Sequence, residues 1–595
     1  MSLNLLDWGI IIAFFVVLIF IGYIASLKVG KTTADFFLSG RNMPWWLLGV
    51  SMVATTFSCD TPNLVTDMVR TYGVAGNWLW WAFLLTGMLT VFVYAKLWNR
   101  SKVLTDLEFY EIRYSGKVAA FLRGFRSIYL GAMFNVIIIA TDSLALIKIG
   151  AVMLGWSAAK TLIIASVVLV FYSTLGGLRS ILFTDFFQFS LAMIGAIGAA
   201  IILVKSEAGG LTNMLSHDMI RGKLGLIPDL TNTDLVITLL VIPLAVQWWS
   251  VWYPGAEPGG GGYLAQRMLS AKNEKNAMGA TLLFNFFHYA IRPWPWILVG
   301  LASLMVFPDV ASMREAFPDV NPQYIQNDFA YPAMLKSLPH GFLGLVVASL
   351  IAAFMSTSAS HLNWGSSYLV NDFYSRFMNP NATERQKVMA GRICTVGLMT
   401  LAILLALFLR NALQAFHILL QVGAGTGLIY LLRWFWYRVN SYSELTGMIV
   451  SFVVALTFTG IDNFTEIQIA PSMKIVIGVS ITTFSWILVT LLTKPADKET
   501  LRSFYVKIQP GGPGWKKIVD EAREDGIELT RDKDEKWDVP GGILAMFLGT
   551  VAVYMCLFAT GYYIYGKWLL AIVFTVISVT AAIFLFHSVK RIRFY

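Results

Sequence analysis

Residues 51–65 read SMVATTFSCDTPNLV, and the way this stretch breaks decides the fold. An apolar helical run meets Ser58, Cys59, Asp60, Thr61, Pro62 and Asn63 at what would be membrane depth. Proline has no N–H to continue a helix, and irregular backbone at that depth is tolerated only where it is buried in protein or lines a cavity. A second break lies in 243–267, PLAVQWWSVWYPGAEPGGGGYLAQR, where Pro254, Pro258 and four consecutive glycines forbid a continuous helix. The two interrupted segments are the second and seventh apolar spans, five apart. Interruptions at matching places in two halves point to an inverted-repeat transporter with its site at the midplane. A pair of proline kinks in packed helices is the plainer alternative.

The rest of the chain fits this medium. Of 595 residues 57% are hydrophobic and only 13% charged, and mean hydropathy is +0.65. A soluble chain carries about 25% charge. Apolar runs of about 20 residues, the length that crosses a bilayer core, recur throughout. We therefore expect an all-α polytopic membrane protein of about 15 spans, with boundaries uncertain by a few residues. The net charge of +10 reflects basic loops rather than nucleic-acid binding. Lys28, Lys31 and Arg41, then Arg100, Lys102, Arg113 and Lys117, then Arg267, Lys272 and Lys275 follow alternate spans, as do Arg376, Arg385, Lys387, Arg433 and Arg438. That places the N-terminus outside and the C-terminus inside a plasma (cytoplasmic) membrane. Cys59, Cys394 and Cys556 lack metal-type spacing and read as packing residues.

The implied layout is an extra N-terminal helix with its loop (1–43), a first repeat (44–206), a second repeat (207–440) and additional spans (441–493). A polar segment (494–540), read as a cytoplasmic flap or linker, precedes two C-terminal spans (541–595).

The ninth span contains LIAAFMSTSAS, residues 350–360. On a helix Ala353, Ser356, Thr357 and Ser360 share one face and Ser358 points away. Hydroxyls and carbonyls are hard ligands that suit a small hard cation. Hydroxyls also let helices approach closely and bond across. Both readings fit the stretch taken alone.

YSTLGGLRSILFTDFFQF at 172–189 closely resembles the signature of the sodium/solute symporter family, which includes sodium/glucose, sodium/proline and sodium/sialic acid symporters. The resemblance runs from about residue 5 to 493. It takes in ADFFLSGRNMPWW (34–46), the broken second span, YLAQRMLSAKNEKNA (263–277), and MSTSASHLNW with LVNDFY (355–374). RSFYVKIQPGGPGW at 502–515 looks like the tail of bacterial members. The resemblance implies a five-plus-five, leucine-transporter-like fold. It also implies a sodium ion held by the carbonyls of Ala54, Phe57 and Ala353 and the hydroxyls of Ser356 and Thr357. Some members hold a second sodium; Asp185 and Ser360 match that site, but Ala359 stands where a serine is expected. Asp185 then serves either a second ion or an exit station.

By the same resemblance, the solute site draws on Asp60, Thr61, Gln247, Trp249, Trp252, Tyr253 and Gln421. Trp78, Trp80, Trp81, Trp248 and His417 lie in the same segments, and Tyr253 is the expected gate. The acid and the lysine that galactose-binding members use on the third and eighth spans are missing, and Tyr289 and Arg292 occupy the eighth. Arg292 suits a carboxylate. The solute stays open among sugars, carboxylates and amino acids. The expected activity is sodium-coupled symport by alternating access in a monomer or weak oligomer, with no cofactor beyond the coupling ion. A channel on the same fold is the main alternative. An enzyme is disfavoured because His217, His288, His340, His361, His417 and His587 are scattered.

Overall fold

A computed structural model describes residues 3–27, 32–250, 257–408, 425–530 and 537–595. Eleven helices among these are long and apolar enough to cross a membrane, and three shorter apolar helices accompany them. In chain order they begin with α1 (Leu5–Ser26), α2 (Trp45–Thr55), α3 (Thr61–Tyr72), α4 (Val74–Ser101) and α5 (Gly116–Leu154). Next come α6 (Ala158–Phe171), α7 (Gly177–Ser206), α8 (Thr233–Trp249), α9 (Gly262–Ser270) and α10 (Glu274–Val306). They continue with α11 (Phe342–Met378), α12 (Glu384–Leu407), α13 (Gly427–Leu432), α14 (Ser441–Asp462) and α15 (Pro471–Leu492). The chain ends with α16 (Lys498–Ile508), α17 (Lys516–Glu524), α18 (Val539–Ile564) and α19 (Trp568–Val589). The expected 412–435 span lies mostly outside the described residues, so the chain is a polytopic helical membrane protein with eleven long spans described.

Burial separates an inner group from an outer one. In the most apolar window of α11, 83% of residues are buried, against 17% for α19. A helix apolar all round belongs in a core or against lipid, and these two show each case.

The breaks are real. The Thr56 N–H still reaches Met52 O, but Phe57 tightens to Ala54 O at 3.0 Å, and α3 restarts with Pro62 in its first turn, where a missing N–H costs nothing. Between α6 and α7 the backbone turns at Gly177, with φ +51°; a Cβ there would lie 2.4 Å from Phe36 O. The start of α2 is tied to the end of α9: Met43 N–H donates to Ser270 O and Lys272 N–H to Met43 O, both at 3.2 Å.

Residues 494–530 of the polar segment dock on the body of the protein. Leu501, Phe504, Ile508, Trp515 and Ile518 join the main apolar core, Phe504 stacks on Trp515, and Trp515 Nε1 donates to Trp434 O at 2.9 Å. Its charges face outward while one apolar stripe faces in, a pattern that the mixed composition of the segment obscures.

Candidate functional site

The break between α2 and α3 packs against the hydroxyl face of α11. Thr357 Oγ1 donates to Thr55 O at 2.8 Å, capping a carbonyl at the end of α2. Ala54, Phe57, Ala353, Ser356 and Thr357 are all buried. Ser356 Oγ donates at 2.6 Å to Asp185 Oδ1 on α7, and Ser51 Oγ donates at 2.5 Å to Oδ2 of the same carboxylate. Ser360 Oγ lies 2.8 Å from Thr55 Oγ1. Buried carbonyls, hydroxyls and one carboxylate thus meet where α2, α7 and α11 converge.

Arg267 of α9 completes this cluster, and the sequence reading missed it. Its guanidinium is fully buried, donates to Ser360 Oγ at 2.6 Å and Gln266 Oε1 at 2.9 Å, and approaches Asp185 to 3.9 Å. An arginine charge therefore stands beside Asp185. Arg267 lies inside the YLAQR motif, so the motif was visible although the side chain's role was not.

A second polar group sits on the α3 side of the break. Ser58 Oγ contacts both Asp60 Oδ1 and, at 2.6 Å, Asp142 Oδ1 on α5. The Cys59 N–H donates to Asp142 Oδ1 at 3.2 Å. Ser358, read from the sequence as facing away, faces this group, with its Oγ 3.5 Å from Asp142 Oδ2. Arg292 of α10 donates through Nη1 to Thr56 Oγ1 at 3.0 Å and Val53 O at 3.3 Å. His288 Nδ1 lies 3.1 Å from the same threonine hydroxyl. Asp142 was also missed, although an acid alone in the apolar run NVIIIATDSLALIKI carries its own signal.

The other expected solute residues divide. Thr61 begins α3 beside Asp60, and its hydroxyl lies 3.5 Å from the Asp60 carboxylate. Gln247 is buried, with Nε2 donating to Leu79 O at 2.7 Å, and Trp249 Nε1 donates to Ala245 O of its own helix. Trp80 stacks on Tyr289 with centroids 5.7 Å apart, whereas Trp78 packs on Tyr554 of α18. Trp252, Tyr253, His417 and Gln421 lie outside the described residues.

Among proteins of known kind, residues 36–451 match the sodium:solute symporter family. A sodium/glucose cotransporter of Vibrio parahaemolyticus is 26% identical over 476 residues, covering 76% of this chain and 85% of that one. Sodium/glucose cotransporter 1 of Oryctolagus cuniculus is 23% identical over 494 residues, covering 76% and 72%. Among solved structures, a substrate-bound, outward-open Na+-coupled sialic acid symporter superposes with a TM-score of 0.66 at 20% identity, covering 83% of this chain and 99% of that one. That likeness carries the fold, and the match over most of the length carries the kinship: the chain belongs to the sodium:solute symporter family.

Proposed function

We propose that this sodium-coupled symporter binds its coupling ion between α2 and α11, through the carbonyls of Ala54, Phe57 and Ala353 and the hydroxyls of Ser356 and Thr357. The observation that supports this reading is the Thr357 hydroxyl seated on the Thr55 carbonyl, next in the chain to that of Ala54, which brings the hydroxyl face of α11 against the broken end of α2. A carbonyl and a hydroxyl already within hydrogen-bond distance are close enough to share a cation. Arg267 fills the role of a fixed positive charge beside Asp185, so Asp185 and Ser360 serve as an exit station rather than a second sodium site.

The solute binds beside Asp60, Asp142 and Arg292, with Thr61, Gln247 and Trp249 nearby and Trp252, Tyr253 and Gln421 in the adjoining segments. Two carboxylates against one arginine and one sodium leave no net charge for an ionic solute to balance. Carboxylates accept hydrogen bonds from hydroxyls well, and Trp80 with Tyr289 supplies flat apolar surface. A neutral polyhydroxylated solute fits best, in keeping with the names of the relatives. Transport takes place in the plasma membrane with the N-terminus outside, and the chain acts as a monomer or weak oligomer without catalytic activity.

Sodium that binds the folded state raises its melting temperature with concentration. The purified protein should be stabilised by sodium and not by potassium, and Thr357→Ala should need roughly tenfold more sodium for the same shift. An unchanged sodium dependence in that variant would remove the site.

A further inference from the structure

Ahead of α9, whose far end leads into the basic loop at 272–275, the 257–262 stretch is buried among α4, α5 and α11. Glu257 pairs with Arg126 of α5, with side-chain exposures of 4% and 5%. Arg126 also donates through Nη1 to the Tyr430 hydroxyl of α13, and lies 5.7 Å from the Tyr110 ring and 5.2 Å from the Tyr430 ring. Next to it, the Gly262 N–H donates to Asp106 Oδ2 at 2.9 Å, and the Tyr368 hydroxyl of α11 donates to the other oxygen of that carboxylate.

The glycines make this seat possible. Gly259 and Gly260 have φ of +81° and +94°, and Trp98 Nε1 donates to Gly259 O at 2.8 Å. A Cβ on Gly261 would sit 2.0 Å from Glu257 Oε2, so the acid lies directly over bare backbone. The glycine run that interrupts the seventh span therefore folds Glu257 inward onto Arg126.

The pair joins different moving parts. Glu257 sits on the broken first helix of the second repeat, and Arg126 on the third helix of the first. Alternating access in inverted-repeat transporters is largely one set of helices rocking against the other around a fixed site. A buried ion pair across that boundary favours the closed arrangement, because parting it leaves each charge unpaired. We infer that Glu257 and Arg126 form the latch that keeps the cytoplasmic end of the route shut, and that the latch parts once per transport cycle. The inference rests on the orientation proposed above.

The test uses the full chain in a Cys394→Ser, Cys556→Ser background, where Cys59 at the helix break is the remaining thiol. Inside-out vesicles without sodium are treated with a cationic, membrane-impermeant methanethiosulfonate. Glu257→Gln should raise the rate of Cys59 modification about tenfold, by shifting the population toward the open end, while Glu257→Asp stays within about twofold of the parent. An unchanged rate in Glu257→Gln, or an equal rise when reagent is applied to right-side-out vesicles, overturns the latch. Should Glu257→Gln not fold, the exchanged pair Glu257→Arg with Arg126→Glu decides. Protection of Cys59 as in the parent supports the latch; high modification, or failure to fold, overturns it. Sodium-dependent stabilisation of the same variants reads the ion site separately, so the two proposals fail independently.

Discussion

The helix break and the end that carries the basic loops are both rich in buried polar groups, yet they satisfy them differently. At the break the partners are mostly neutral: Thr357 on a carbonyl, Ser356 and Ser51 on Asp185, Ser58 on Asp142. Arg267 approaches Asp185 only to 3.9 Å. At the basic-loop end charge meets charge directly, with Arg100 on Glu274 at 2.9 Å, Arg123 on Asp372 at 2.7 Å, and Arg126 on Glu257. A hydroxyl held on a carbonyl or carboxylate can turn to an ion or a solute hydroxyl without leaving a charge unpaired, whereas a buried ion pair is costly to break from one side. The first region is built to be re-liganded and the second to hold one arrangement until its latch parts.

The largest effect expected at the break comes from the arginine beside Asp185. Arg267→Ala leaves the Asp185 charge buried without its counter-charge, and should lower stability by ~3–5 kcal/mol, read as a fall in melting temperature and yield. A stability loss well under that would mean that the hydroxyls alone satisfy Asp185, and the contrast between the two regions would sharpen. Next is Asp142→Asn, which keeps shape and removes charge. Once a transported solute is in hand, it should raise the half-saturating solute concentration at least about tenfold while sodium dependence moves less. An equal change in both would place Asp142 at the ion rather than the solute.

The smallest effect belongs to Ser358→Ala. From the sequence this residue faces away from the ion ligands, and its 3.5 Å approach to Asp142 is at the outer limit of a hydrogen bond. Solute and sodium half-saturation should each change less than about twofold. A larger solute effect would add Ser358 to the solute group.

Much of this was legible in the chain because the membrane simplifies the code. Apolar runs mark spans, and Pro62, Pro254 and the glycine run mark breaks with a stated mechanism. The shared face of Ala353, Ser356 and Thr357 followed from helical spacing alone. The partners did not. Nothing in local sequence says that Arg267 points at Asp185 across two repeats, or that Ser58 is shared by Asp60 and Asp142, because those pairings are made by the packing of segments 80 or more residues apart. How residues 494–530 dock was not legible for a related reason: their apolar stripe is short and diluted by charge, and its seat forms only when α4, the 109–113 helical turn and the 433–437 turn come together.

The most direct test counts sodium ions. Equilibrium binding of radiolabelled sodium to the purified protein should saturate at one ion per chain, weaken in Thr357→Ala and keep its count in Asp185→Asn. Two ions per chain, falling to one in Asp185→Asn, would contradict the role given to Arg267 and restore a second sodium site at Asp185 and Ser360.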